Sequence, residues 1–179
     1  MRKAFFLAAM IALGSGSAFA EDITIKSLKI GMPKADVAAL AAPFDWMKFP
    51  SGGPMDGTMV MEDRGDEGRL YGMTIGGVRA AANLTLLKFR SGRLTSVSFA
   101  FDAASYELVK AAVISKYPKS KCSMSAPDKN KGDDGDSQPF CMLTQGPARL
   151  YISKSYTTGF LLLSEILSAT DRRKAASDI

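Results

Sequence analysis

Histidine is absent from the 179-residue sequence. Ser-His-Asp and Cys-His catalytic arrangements are therefore excluded, and so are metal sites that rely on imidazole ligands. The sequence also lacks a Walker loop, a dinucleotide-binding fingerprint and zinc-ligand spacing, so neither a cofactor nor a metal is predicted. We therefore expect a protein that is not an enzyme.

Cysteine occurs only twice, at Cys122 and Cys141. An even pair in an exported chain favours a disulfide, whereas a redox pair is more usually spaced Cys-x-x-Cys and a metal site would need further ligands. The closed loop would contribute about 3 kcal/mol in the chain-entropy model. The sequence therefore predicts a structural disulfide between these residues.

Long apolar runs are also missing. The longest is Ala4–Leu13, which follows the basic Arg2 and Lys3 and leads to small residues ending at Ala20. This order is typical of a secretory signal peptide, and ten apolar residues are too few for a bilayer that needs about 20. We expect cleavage after Ala20, a periplasmic or secreted product, no transmembrane segment and, without a cysteine nearby, no lipid anchor.

The net charge of +5 becomes +3 when Arg2 and Lys3 are removed, because 21 basic residues then face 18 acidic ones. This excess is too small to predict nucleic-acid binding, although an anionic envelope partner stays open. The length predicts one core. The expected organisation is a signal peptide (1–20), a single α+β domain (21–170) and a polar C-terminal tail (171–179).

The clearest local pattern is a strand that runs into a helix between Val97 and Pro118. Alternating apolar residues end at Phe101, Asp102 can cap the helix, and Pro118 stops it. The helix carries four apolar residues on one face, namely Tyr106, Val109, Val113 and Tyr117.

The remaining elements predict a fold class. A short helix is expected over 31–40, begun by Pro33, and a surface loop over 119–138. The predicted strands are Thr58–Glu62, Leu70–Ile75, Ala81–Phe89, Arg93–Phe101, Pro139–Thr144, Ala148–Lys154 and Gly159–Leu163. We predict an α+β fold with two helices packed on a largely antiparallel sheet, and the order of elements also fits a duplicated helix-plus-meander unit.

Two groups of residues are candidates for binding. Phe44, Trp46 and Phe49 stand in an irregular segment, where they either cover the core or, if exposed, line a groove. Three lysines follow the end of the long helix, where they complement its dipole or form a docking patch for an acidic partner or a lipid phosphate. These lysines are Lys116, Lys119 and Lys121.

Two acidic clusters were weighed as sites. Asp63, Asp66 and Glu67 lie in a glycine-bounded turn, where a solvated surface explains them. The segment Asp128–Asp136 is rich in oxygen ligands, but it places Gly132 fifth rather than sixth and has no glutamate at the twelfth position of a calcium loop. Metal binding is therefore not predicted, and whether this loop holds a cation stays open.

The segment Leu28–Pro43 reads Leu-Lys-Ile-Gly-Met-Pro-Lys-Ala-Asp-Val-Ala-Ala-Leu-Ala-Ala-Pro. Its spacing of Gly-Met, Asp-Val, Leu and Pro resembles the opening of small bacterial envelope proteins of the SmpA/OmlA type, whose fold is related to β-lactamase inhibitor protein. The resemblance implies a helix-plus-sheet scaffold that binds other proteins and does not turn over a substrate.

Together these features predict a non-catalytic exported envelope protein that binds another protein, either an envelope protein or an enzyme. The alternative is a protein that binds a small ligand, an envelope glycan or a lipid, with Phe44, Trp46 and Phe49 lining the groove. The partner, the binding face and the oligomeric state are not specified by the sequence.

Overall fold

The computed structural model describes residues 22–45, 47–49, 53–54, 56–125 and 137–167, and they form mostly strands. The strands are β1 (Thr24–Ile25), β2 (Leu28–Lys29), β3 (Ala42–Pro43), β4 (Val60–Arg64), β5 (Glu67–Tyr71), β6 (Thr74–Ile75), β7 (Val78–Arg79), β8 (Leu84–Arg90), β9 (Arg93–Asp102), β10 (Lys121–Met124), β11 (Pro139–Gln145), β12 (Ala148–Lys154) and β13 (Thr158–Glu165). The α-helices are α1 (Lys34–Ala38) and α2 (Tyr106–Lys116). The predicted signal peptide, Trp46, the segment Asp128–Asp136 and the C-terminal tail lie outside the described residues.

Nine strands form one sheet in the order β10-β11-β12-β13-β9-β8-β5-β4-β3. Neighbouring strands are antiparallel except for β3 and β4, which are parallel. The pairs β1-β2 and β6-β7 are separate two-stranded hairpins. The chain thus builds one large mixed sheet, and most of its strands join neighbours in sequence through short turns.

The predicted α+β fold class is wrong, because the described residues are mostly strand and only α2 is an α-helix of more than five residues, so two helices do not pack on the sheet. Helix α1 has five residues, no side-chain cap at Pro33 and, in this fully described stretch, Val37 as its one buried residue. The nine residues between Pro33 and Pro43 could hold about two and a half helical turns, but Ala42 and Pro43 pair with β4 as strand β3, and α1 is left with five residues. The duplicated helix-plus-meander unit is therefore wrong as well, since among the described residues no helix comparable to α2 precedes the first meander.

The predicted strand-to-helix unit is confirmed and forms the centre of the core. Phe99 and Phe101 of β9 are fully buried, with ring centroids 5.9 Å apart. Asp102 accepts a hydrogen bond of 2.8 Å from the Ala104 amide, which caps the 3-10 turn leading into α2. The four residues predicted to face the core are all buried, namely Tyr106, Val109, Val113 and Tyr117.

The pleat of the sheet separates a core face from an open face. On the core face, which α2 covers, Phe99 pairs with Leu161, and both side chains are buried. The adjacent pairs, such as Ser98 with Leu162, point to the opposite face because successive side chains alternate. We call this second side of the nine-stranded sheet the open face.

Gly159 permits the close packing of Phe101 on β13. A Cβ atom at this position would lie 2.1 Å from Cε2 of Phe101. We expect Gly159→Ala to lower the free energy of unfolding by about 2 kcal/mol, because a buried ring must move. Urea denaturation measures this change. The double variant Gly159→Ala/Phe101→Leu should lose less stability than the sum of the two single losses. A loss equal to that sum would contradict the steric explanation.

Candidate functional site

The open face carries large apolar side chains where solvent-facing positions of an antiparallel sheet are usually polar. Leu86 is 44% exposed, Phe160 43% and Met142 36%. Phe140 and Tyr151 stack across β11 and β12 with ring centroids 5.8 Å apart. We define the apolar patch as Leu86, Phe140, Met142, Tyr151, Phe160 and Leu162.

The strand register brings these residues together. Tyr151 lies directly opposite both Met142 and Leu162, so these three residues form a continuous row over β11, β12 and β13. Phe160 pairs with Ala100 on one side and with Ser153 on the other. Small residues therefore lie directly opposite Phe160 on both neighbouring strands, and its side chain is partly exposed.

Basic residues border the apolar patch. Lys121 lies opposite Met142 on β10, at the edge of the sheet. Arg149 and Lys88 flank the patch along a second row, in which Ser164 and Ser96 stand between them. These side chains are exposed, and the exposed Glu67 lies directly opposite Lys88 on β5. Acidic groups on a surface that covered the patch would complement Lys121 and Arg149.

Two of the three predicted aromatic candidates, Phe44 and Phe49, lie at the β4-β5 end of the sheet. The ring of Phe44 is 4.7 Å from Tyr71 and 6.1 Å from Phe49, centroid to centroid. Tyr71 is buried, and Gly53 lies directly against its Cβ, because a Cβ built on Gly53 would be 2.1 Å away. Phe44 and Phe49 are both half-buried, with Phe44 against Tyr71 and Phe49 against Phe44.

The three candidate lysines do not form one patch. The Lys116 ammonium donates to the Thr24 carbonyl oxygen (3.1 Å) and hydroxyl (2.8 Å), which ties α2 to hairpin β1-β2. Lys119 is exposed in the connection after α2, whereas Lys121 belongs to the open face. The three lysines are close in sequence but differ in role. Lys116 makes a structural contact, Lys119 is an exposed charge, and Lys121 borders the apolar patch.

A disulfide joins Cys122 to Cys141, as predicted. The two residues lie directly opposite each other on β10 and β11. The predicted surface loop over 119–138 is wrong at Lys121–Met124, because these four exposed residues pair with β11 as the edge strand. The bridge therefore fixes the strand that carries Lys121 beside the apolar patch.

Burial raises the pKa of the Tyr106 phenol above its ordinary value of 10.0, and the nearby Glu107 and Tyr151 add to the effect. The folded protein then retains this proton at a pH where the unfolded chain loses it. We expect the free energy of unfolding to be unaffected by Tyr106 below about pH 10 and to fall as the pH rises through the raised pKa. Urea titrations at several pH values test this, with Tyr106→Phe as the control; identical slopes above pH 10 would contradict it.

The acidic turn between β4 and β5 is explained by structure. Asp63 accepts hydrogen bonds from the Lys34 ammonium and from the Gly65 amide. The side-chain hydrogen bond from Lys34 is the main cause of the lowered pKa of Asp63. Within the described ranges, no three His, Cys, Asp or Glu side chains form a group that could hold a metal.

Comparison of the chain with family models, with curated proteins and with solved structures finds no match. The resemblance of Leu28–Pro43 to the SmpA/OmlA type therefore stays a prediction. Among the residues that the structure describes, no helix is long and apolar enough to cross a membrane.

Proposed function

We propose that this chain is an exported, non-catalytic protein that binds another protein through the apolar patch. The observation that carries the proposal is the group of large apolar side chains on the open face, led by Phe160 and Leu86. Aromatic residues, methionine and arginine are typical of interface centres and borders, and exposed apolar clusters of this kind mark interaction sites.

The border charges favour a particular partner chemistry. Lys121 lies at one edge of the apolar patch and Lys88 and Arg149 lie along one side of it, so a partner with an apolar surface and acidic residues at these two borders would fit. The disulfide supports an extracytoplasmic location, where such bonds form and persist. An envelope protein or an enzyme in that compartment is the proposed target.

Phe160→Asp should abolish this binding, because a charge would be buried without a partner at the centre of the interface. We expect at least a 30-fold loss of affinity, corresponding to about 2 kcal/mol at a central contact. The experiment captures partners from an envelope extract of the organism that encodes the chain, purifies the partner that is retained and measures its affinity for each variant.

Leu108→Asp is the matched control. Leu108 is 61% exposed on α2, on the other side of the sheet, so the same substitution there should leave affinity unchanged within about twofold. Equal losses in both variants, or none with Phe160→Asp, would contradict the proposed surface. Urea denaturation of both variants shows that they are folded.

A further inference from the structure

A cleft of about 320 Å³ lies on the core side of the sheet, away from the apolar patch. Its size is at the lower end of the range for small-molecule sites. Hairpin β1-β2, hairpin β6-β7 and the second half of α2 form its walls, and central strands β12 and β13 form its floor. Four separate parts of the fold therefore form the walls and floor of the cleft, which stays open to solvent.

The interior of the cleft is apolar. Ile25, Ile75, Val113, Leu150 and Leu161 line it, and each is at most 9% exposed. Linear alkyl groups gain most from such a surface, because burial of each methylene contributes about 0.8 kcal/mol. The walls thus suit a small hydrocarbon chain.

The opening of the cleft is basic. Lys26 and Lys116 are among the lining residues, whereas no carboxylate is. Two of the three N–H donors of Lys116 go to Thr24, so one is left for a ligand oxygen among the described contacts. A negatively charged head group therefore fits the electrostatics of the opening.

The walls are held in position before any ligand binds. The Tyr117 hydroxyl accepts from the Thr24 amide and donates to the Thr24 carbonyl oxygen, both at 2.7 Å. Gly76 lies so close to α2 that an added Cβ would be 2.9 Å from the Cβ of Ala112. Binding therefore requires little reorganisation of the cleft.

The turn at the opening is strained. Lys26 and Ser27 have φ values of 48° and 70°, a left-handed conformation that costs free energy in residues other than glycine. Asn-Gly is the usual sequence for a two-residue hairpin turn of this type. Lys26 occupies this position instead, and its charge lies beside the opening.

We propose that this cleft binds a monocarboxylate with a linear alkyl chain, as in a medium-chain fatty acid, with the carboxylate at Lys116 and the chain against the apolar interior. This site is independent of the proposed protein-binding surface. Octanoate is the probe, and ¹⁵N NMR of the purified protein without residues 1–20 detects its binding. We expect saturable shifts at the amides of Ile25, Gly76 and Ala112 and none at Phe160.

Ligand analogues separate the two parts of the proposal. Octan-1-ol keeps the chain without the charge and should bind about tenfold more weakly, as loss of a charge-assisted hydrogen bond predicts. Octyltrimethylammonium reverses the charge and should not bind. Equal affinity for octanoate and octan-1-ol, shifts confined to the open face, or no saturation with octanoate would overturn the proposal.

Variants test the role of Lys116 directly. Lys116→Met should weaken octanoate binding about tenfold, whereas Lys116→Arg keeps the charge and should restore most of the affinity. Lys119→Met removes a nearby charge outside the cleft and should change affinity by less than about twofold. Unchanged binding in Lys116→Met, or failure of folded Lys116→Arg to bind, would overturn the proposed head-group site.

Discussion

Phe101→Ala should lower the free energy of unfolding by about 4 kcal/mol, the largest effect expected from a single substitution in this fold. Phe101 is fully buried and packs against Phe99 and Gly159 between the sheet and the elements that cover it. Removing its ring leaves a cavity that neighbouring strands cannot fill, since their backbones are fixed by hydrogen bonds on both sides. Urea denaturation followed by circular dichroism measures the loss.

Phe160→Ala is the matched control for this prediction. It replaces the same side chain on the strand next to β9, but on the open face, where Phe160 is 43% exposed. We expect a loss below about 1 kcal/mol. Similar costs for the two alanine substitutions would contradict the assignment of core and open faces, and with it the view that Phe160 is available for binding.

Removing the disulfide should have the second-largest effect. The double variant Cys122→Ala/Cys141→Ala should be about 3 kcal/mol less stable than the native protein, because a loop with a sequence separation of 19 is no longer closed in the unfolded chain. Replacing both cysteines avoids an unpaired thiol. Urea denaturation of the oxidised protein and the double variant measures the difference.

The loss should also be uneven across the sheet. All four residues of β10 are exposed, so this strand depends on its ladder with β11 and on the bridge. Amide exchange over Lys121–Met124 should therefore accelerate more than exchange in β12 and β13. A stability loss below about 1 kcal/mol, or uniform acceleration, would show that the bridge does not hold this edge.

The strand-to-helix unit could be predicted because several local signals agree there. Apolar residues alternate up to Phe101, Asp102 caps the turn, and the buried face of α2 follows a helical period. The turn between the predicted strands Ala81–Phe89 and Arg93–Phe101 also carries a local signal, because Gly92 readily adopts the positive φ that a two-residue hairpin turn requires. Local sequence signals are therefore sufficient to predict these elements without knowledge of tertiary contacts.

Other elements depended on contacts that are distant in sequence. β10 is short, polar and exposed, so only its pairing with β11 and the bond between Cys122 and Cys141 make it a strand. Helix α1 is shorter than the predicted helix over 31–40, because the chain then pairs as β3 with Val60 and Met61 of β4. Periodicity alone records neither constraint.

The sequence contains a signal for the apolar patch in two of the predicted strands. In the correctly predicted strand Ala148–Lys154, Tyr151 occupies the phase opposite to Leu150 and Ile152, and Phe160 does the same beside Leu161. A strand with apolar residues at both odd and even positions is either buried on both faces or exposes an apolar surface on one of them. The strand order decides between these, and it is fixed by pairing rather than by any single strand.

Photocrosslinking is the most direct test of the proposed binding surface. A photoreactive phenylalanine derivative at position 160 should form a covalent adduct with a discrete protein in intact cells. The same group at position 108, exposed on α2 on the other side of the sheet, should not form that adduct. Adducts of equal yield at both positions, or none at position 160, would contradict the account.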